Sequence, residues 1–320
     1  YSARTGEVVK AINTGAAPMG LCHVPKVDGS SLLACCANST MVRIEGLHRD
    51  IVRKTSWTTP DTQTSMCWQP LQRVLYSGST SGKLYAWDID KGVEKACYDD
   101  HTDIIMKLIS VDHLGNIVTA SLDTTVNLWD SFTGTRTCTL TGHTKGVLSL
   151  AYNPGHRFLL SCGFDHDALV WSPFDSKLLH RLKGHRCALM GCHAVEGTSE
   201  FITGDVSGLF KLWDLRSPGS AVQTFTSEHE PGDLDDLTGK LNCFAHIELQ
   251  RKAGVKGGHY DGYRIIAGSK KIIFFDQPRA SDKPVSGEKP MTFKGWRISR
   301  AMLRQCLVSS KCASLFSVGA

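Results

Sequence analysis

The run Ser161-Cys162-Gly163-Phe164-Asp165-His166-Asp167-Ala168-Leu169-Val170-Trp171 carries the pattern on which the fold of this chain turns. A short apolar strand leads into a polar tight turn, and a second apolar strand leaves it and ends on tryptophan, as in an antiparallel hairpin. The tryptophan belongs to a series, because Trp87, Trp129, Trp171 and Trp213 follow one another at equal intervals of forty-two positions. Equal spacing of this kind marks a chain built from repeated supersecondary units that bury their faces against one another.

Other landmarks keep the same register. His101, His143 and His185 stand at one constant offset, twenty-eight positions, ahead of Trp129, Trp171 and Trp213, and Gly142 and Gly184 precede the last two. Ser77, Thr119, Ser161 and Thr203 each stand ten positions ahead of their own tryptophan. Asp123 and Asp165 lie six positions ahead, in the turn that leads into the tryptophan strand, where Ser81 and Ser207 occupy the slot in other units. An acidic residue follows the tryptophan at Asp88, Asp130 and Asp214, with Ser172 as the exception. The spacing extends backwards from Trp87 to Ile44 and again to Tyr1, forty-three positions each time, whereas Phe275-Asp276 closes the next unit only sixty-two positions after Trp213. An insertion is therefore expected within residues 228–263.

These landmarks resemble the WD repeat, a unit with Gly-His near its start and Trp-Asp near its end, whose four antiparallel strands make one blade of a β-propeller. The resemblance covers nearly the whole chain. It implies an all-β fold, a seven-bladed WD-repeat β-propeller of four-stranded antiparallel blades, as a single domain over residues 1–320. Units would end near residues 44, 87, 129, 171, 213 and 275, and residues 1–12 with 296–320 would share the closing blade. Within that blade, 7–12 reads as the outer strand, while 301–308 and 314–318 read as the first two. Its third strand would be missing, so the parent polypeptide is expected to run beyond Ala320 and to begin before Tyr1. The Phe-Asp ending and the 163–171 wording also resemble the large multi-propeller WD-repeat proteins of motile cilia and protists, which implies a cytoskeletal or ciliary scaffold.

Composition agrees with a soluble globular chain: of 320 residues, 41% are hydrophobic and 21% charged, and 30 are glycine. No stretch approaches the roughly 20 apolar residues of a membrane helix, so no membrane insertion is expected. The 12 cysteines are scattered, several within apolar strands, which fits a reducing, intracellular and cytoplasmic setting better than a disulfide scaffold. From Leu237 onward 15 basic and 5 acidic residues give about +10, against 21 and 26 before it, about −5. Arg251, Lys252, Lys256, Arg264, Lys270 and Lys271 in this sector support an alternative reading as a nucleic-acid-associated module. Without interleaved aromatic side chains, a solvated face accounts for them better and nucleic acid is not the expected partner.

Several constellations carry the outline of chemistry. Ser, His and Asp in recurrent proximity invite a hydrolase triad, but a catalytic set occurs once and this one repeats with the unit. The family resemblance implies that His101, Thr119, Asp123, Trp129 and His143, Ser161, Asp165, Trp171 form hydrogen-bonded networks that pin the blades. Gly78 to Lys83 has the flavour of a phosphate loop, yet the glycine spacing is short and a strand follows instead of a helix. His185, Cys187, Cys192 and His193 lie at spacings reminiscent of zinc sites, but neighbours on a strand alternate faces and cannot converge. No cofactor, no metal and no enzymatic activity are expected.

The remaining candidate is surface. The residue seven before each closing slot lies in the turn before the tryptophan strand, giving Ala37, Thr80, Leu122, Phe164, Val206 and Gly268 around the ring. Leu122, Phe164 and Val206 make an apolar arc on the face called the top in WD propellers, rimmed by Asp103, Lys145 and Arg186. Such an arc is expected to dock protein or peptide partners. The competing expectation is that these side chains fold back over neighbouring turns.

Overall fold

A computed structural model describes residues 11–26, 29–46, 52–195 and 198–226, and beyond them the strands of 243–249, 262–268, 271–278, 296–297, 307–308 and 315–316. The described chain is β throughout, apart from one short 3-10 turn at Asp112–Leu114. The first sheet comprises β1 (Pro18–Lys26), β2 (Gly29–Cys36), β3 (Thr40–Glu45) and β4 (Arg53–Thr58). The second comprises β5 (Gln63–Gln69), β6 (Val74–Ser79), β7 (Lys83–Asp88) and β8 (Val93–Asp99). The third holds β9 (Ile105–Val111), β10 (Asn116–Ser121), β11 (Val126–Asp130) and β12 (Arg136–Leu140). The fourth holds β13 (Val147–Asn153), β14 (Phe158–Gly163), β15 (Ala168–Trp171) and β16 (Leu178–Leu182). In the fifth are β17 (Leu189–Ala194), β18 (Glu200–Asp205), β19 (Leu209–Asp214) and β20 (Gln223–Thr226). The sixth has β21 (Cys243–Leu249), β22 (Gly262–Gly268), β23 (Lys271–Pro278) and β24 (Trp296–Arg297), followed by the pair β25 (Leu307–Val308) and β26 (Leu315–Phe316).

Every four-stranded sheet is an antiparallel meander in chain order. First strands of successive sheets pack side by side, β1 on β5, β5 on β9, β9 on β13, β13 on β17, β17 on β21 and β21 on β25, which is the arrangement of propeller blades around an axis. Trp87, Trp129, Trp171 and Trp213 each lie on the third strand of their sheet, and the sheet then adds an outer strand drawn from the next sequence unit. In this way β8 follows Trp87 and pairs with β7, and β12 follows Trp129 and pairs with β11. A sequence unit and a structural blade are thus offset by one strand, and the offset ties each blade covalently into its neighbour.

Most of the described core lies in layers shared by successive blades, and the first sheet also carries a cluster of its own, Leu21, Leu32, Ala34, Cys36, Val42 and Ile44. One apolar layer combines Val118, Val126 and Leu128 of the third blade with Leu150, Leu159 and Trp171 of the fourth. The next combines Phe158, Leu160 and Val170 with Leu189, Phe201 and Trp213. A second strand is covered on both sides by such layers, so Phe158–Gly163 is buried at every position, whereas the outer strand Arg136–Leu140 is mostly exposed. This explains the unbroken apolar run of Phe158 to Cys162, where an open antiparallel sheet would alternate.

Of the expected closing blade, residues 1–10 lie outside the described residues, and β25 and β26 pair antiparallel, Leu307 opposite Phe316. Most of the 228–263 insertion also lies outside them, and Gly268 is described only as backbone on β22.

Candidate interaction faces

The tryptophan indole must reach a hydrogen-bond partner from inside an apolar layer, and the strand beside it supplies one. Trp129 donates to Thr119 Oγ1 at 3.0 Å, Trp171 to Ser161 Oγ at 2.7 Å and Trp213 to Thr203 Oγ1 at 2.8 Å. The same oxygens lie 2.7, 2.7 and 2.8 Å from Nε2 of His101, His143 and His185. Each imidazole Nδ1 meets a carboxylate, Asp123 at 2.7 Å, Asp165 at 2.6 Å and Asp205 at 2.8 Å. With the Nδ1 proton held by the carboxylate, Nε2 is an acceptor, so the hydroxyl donates to it while accepting from the indole. Donors and acceptors close in one direction, from tryptophan to aspartate. In a triad the serine would face an open cleft; here Thr119, Ser161 and Thr203 are fully buried and spent.

Two members of this series escape the spacing of the sequence. In the fifth blade the carboxylate comes from Asp205, at the end of β18, because the turn slot holds Ser207, which instead donates to Asp205 Oδ1 at 2.5 Å. In the second blade no histidine is used: Gln63 Oε1 accepts from Ser77 Oγ at 2.7 Å, and Ser77 accepts from Trp87 at 2.7 Å. There Asp61 accepts from Ser81 at 2.6 Å and Tyr85 at 2.7 Å. Asp205 was detectable as an aspartate two residues ahead of its slot, and Gln63 as an amide in a blade lacking the histidine.

Electrostatics follow from this closure. Burial lowers the His101 pKa and so favours the neutral ring, outweighing the pull of Asp123. Burial pushes the Asp123, Asp165 and Asp205 carboxyls upward, but the hydrogen bonds they accept more than offset it and hold them below the usual range. In the Cys22 thiol, burial raises the pKa to about 12, and burial also raises Cys35, Cys67 and Cys162. These thiols are poor nucleophiles. His185 is engaged as above, while Cys192 is buried in the layer between the fourth and fifth blades and Cys187 is half-buried.

On the top face the turn positions are structurally equivalent. The backbone N–H groups of Ala37, Thr80, Leu122, Phe164 and Val206 donate to Ala17, Thr62, Ile104, Gly146 and Ala188 carbonyls, at 2.9 to 3.0 Å. Their side chains are not equivalent. Leu122 lies against Gly146 of the next blade, where even a methyl group would stand 2.8 Å from its Cδ2. Leu122 and Val206 are half-buried, whereas Phe164 is 43% exposed. Asp103, Lys145 and Arg186 are exposed around them. The arc is therefore one outward aromatic ring within a charged rim. The opposite face, formed by the turns between first and second and between third and outer strands, carries Leu71, Phe132 and Phe174 at 64%, 67% and 57% exposure.

Among the described residues no helix is long and apolar enough to cross a membrane. Residues 134–172 match the family described as "WD domain, G-beta repeat". The chain is similar to Cilia- and flagella-associated protein 337 B of Tetrahymena thermophila, 32% identical over 60% of this chain and 15% of that protein. It is similar also to the Periodic tryptophan protein 2 homolog of Dictyostelium discoideum, 25% identical over 46% of this chain and 16% of that protein. A third likeness is to the Guanine nucleotide-binding protein subunit beta of Solanum tuberosum, 28% identical over 38% of this chain and 34% of that protein. The chain thus spans only a minor part of each relative's length. The WD repeat is thus matched at 134–172, its hydrogen-bonded network recurs in the neighbouring sheets, and the described four-stranded sheets have the fold of WD-type β-propeller blades.

Proposed function

We propose that this chain is a noncatalytic scaffold that docks protein or peptide partners on its top face, within a cytoskeletal or ciliary assembly. The observation that supports it best is the internal closure of each Ser/Thr, His and Asp set, which uses up the chemically capable side chains as blade fastenings. What the described blades offer outward is surface on rigid loops, and rigid rings that present loops from several blades suit docking. The ciliary setting rests on the likeness to the Tetrahymena protein. Phe164 is the anchor of the top-face site, with Leu122 and Val206 beside it and Asp103, Lys145 and Arg186 as its charged rim.

The test is capture of partners from native lysate, with and without nuclease, by wild type and by Phe164→Asp. A defined protein set that survives nuclease and is lost with Phe164→Asp is the expected result, with the melting temperature within about 2 °C of wild type. Material that vanishes on nuclease treatment, and steeply with salt between about 50 and 200 mM, would instead favour the basic C-terminal quarter as a nucleic-acid contact.

A further inference from the structure

The turns and loops of the top face follow one another around the ring, and backbone bonds fix their order: Thr80 on Thr62, Leu122 on Ile104, Phe164 on Gly146 and Val206 on Ala188. Charge is unevenly placed along this path. Over the second and third blades stand Asp61, Asp99, Asp100, Asp103 and Asp123, against only Lys83 and Arg136. Lys83 lies across the ladder from Asp99, and Arg136 pairs with Asp100 at 3.5 Å. Over the fourth and fifth blades the sign inverts, with Lys145, Arg181, Lys183, Arg186 and Lys211 against Asp165, Asp167 and Asp205. Carboxylates that accept hydrogen bonds keep their charge, and with every one of them included each half still holds an excess of its own sign.

The accessible groups sharpen the contrast. Lys145, Lys183 and Arg186 are exposed and make no ion pair among the described residues, whereas Arg181 is bonded to Asp167 at 2.9 Å and Lys211 lies over the Trp213 ring. On the acidic side Asp99 and Asp103 are exposed, and Asp61 is held beside the 79–82 turn by the Ser81 hydroxyl. Leu122 sits where the two halves meet, its side chain against Gly146. Phe164 lies within the basic half, its N–H bonded to the carbonyl of Gly146, the residue after Lys145, and the loop of Arg186 comes next around the ring. A partner's apolar group that reaches Phe164 therefore arrives among cations, and a continuation toward the second blade arrives among carboxylates.

We propose, resting on the docking reading of Phe164 above, that the top face takes an extended segment of the opposite charge order. Its apolar and acidic side chains lie over the fourth and fifth blades around Phe164, Lys145 and Arg186, and a basic stretch runs out over the loop of Asp99 and Asp103. Like charges brought face to face oppose docking, so this order sets both the choice of partner and the direction in which it lies.

The probe is a fluorescein-labelled synthetic peptide, Lys-Lys-Lys-Ser-Leu-Glu-Phe-Glu-Leu-Glu, read by anisotropy against the whole chain beside a counterpart in which every Lys and Glu is exchanged. Saturable binding of the first is expected, at least tenfold tighter than that of the second. Asp99→Lys/Asp103→Lys and Lys145→Glu/Arg186→Glu should each weaken the first at least fivefold, with the melting temperature within about 2 °C of wild type. All four substitutions together should reverse the preference, and Phe164→Ser should weaken whichever peptide is bound. Equal binding of the two peptides, lost with Phe164→Ser, would overturn the charge order and leave the top-face docking reading standing. A preference that follows the charge reversals but survives Phe164→Ser would overturn the proposal together with that reading, and absence of binding by the first peptide would overturn the proposal. So would self-association of the chain in sedimentation that either pair of reversals abolishes, which would assign the face to a second copy.

Discussion

A single hydroxyl decides whether a blade's polar interior is satisfied. Ser161 accepts the Trp171 indole N–H and donates to His143, so Ser161→Ala strands two buried groups at once. At about 1–3 kcal/mol for each buried polar group left unpaired, a loss of about 2–4 kcal/mol is expected, measured by urea denaturation. Ser161→Thr, which keeps the hydroxyl as Thr119 does, should cost far less. Protonation attacks the same networks. The folded pKa of His101 lies below its unfolded value of about 6.5, so the folded state binds fewer protons; its contribution is complete above that value and fades as pH falls below it. Asp123, Asp165 and Asp205 are depressed as well, and their contribution is lost as pH falls through and below the ordinary carboxylate range. Melting temperature should therefore decline from pH 7 to 5 and drop more steeply below 4, and His101→Gln should flatten the upper part of that profile. A profile flat from pH 7 to 4 would contradict this account. The histidine, hydroxyl and turn aspartate of two blades were readable from the constant spacing of the units because a hydrogen-bond chain fixes the separation of its members. Asp205 and Gln63 were not, since a carboxylate or amide reaching the same point from another backbone position leaves no constant spacing.

At the scale of strands and turns, the fold shows how one repeat adjusts to its neighbour. The turn into the outer strand needs a left-handed residue, and Gly92, Gly134 and Ser176 fill it at φ of 66°, 70° and 56°. What each faces on the preceding outer strand differs. A Cβ on Gly134 would stand 2.5 Å from the Tyr98 hydroxyl, whereas Ser176 sits against the small Cys138 and donates to its sulfur at 2.9 Å. Gly134→Ser adds both left-handed strain and overpacking, for an expected loss of about 2–3 kcal/mol. Ser176→Gly relieves the strain but loosens the unfolded chain and loses one bond, so it should stay within about 1 kcal/mol of wild type. Equal effects of the two substitutions in chemical denaturation would show that the preceding strand does not set the choice. The positions of these strands were legible in the sequence; the exposure of their turns was not. Leu122 and Phe164 occupy equivalent slots with equivalent backbone bonds, yet one folds over Gly146 and the other points outward. That difference is made by the adjoining blade, which periodicity within a single unit does not encode.

Across the whole molecule, stability should be ranked by strand position more than by blade. Apolar layers are shared between neighbours, so each second strand is sandwiched from two sides while each outer strand has a face in water. Val74–Ser79 and Phe158–Gly163 are buried throughout, and Asn116–Ser121 nearly so, against the largely exposed Val93–Asp99, Arg136–Leu140 and Leu178–Leu182. Local opening requires exposure of whatever a segment buries, so outer strands should open at a lower free energy than the strands they flank. Native-state hydrogen exchange should accordingly show a gradient that recurs in the second, third and fourth blades, with second-strand amides protected about tenfold or more beyond outer-strand amides of the same blade. Trp171→Ala removes side-chain contacts from the layer between the third and fourth blades, and large aromatic deletions in cores cost about 3–5 kcal/mol. Because that layer has walls from both blades, the substitution should lower protection in β10 as well as in β14, leaving the first sheet least affected. Protection lost in the fourth blade alone would mean that each blade has its own core, against the shared layers seen here. A spread of the effect with distance would mean instead that neighbouring blades resist opening together, because each supplies a wall of the other's interior.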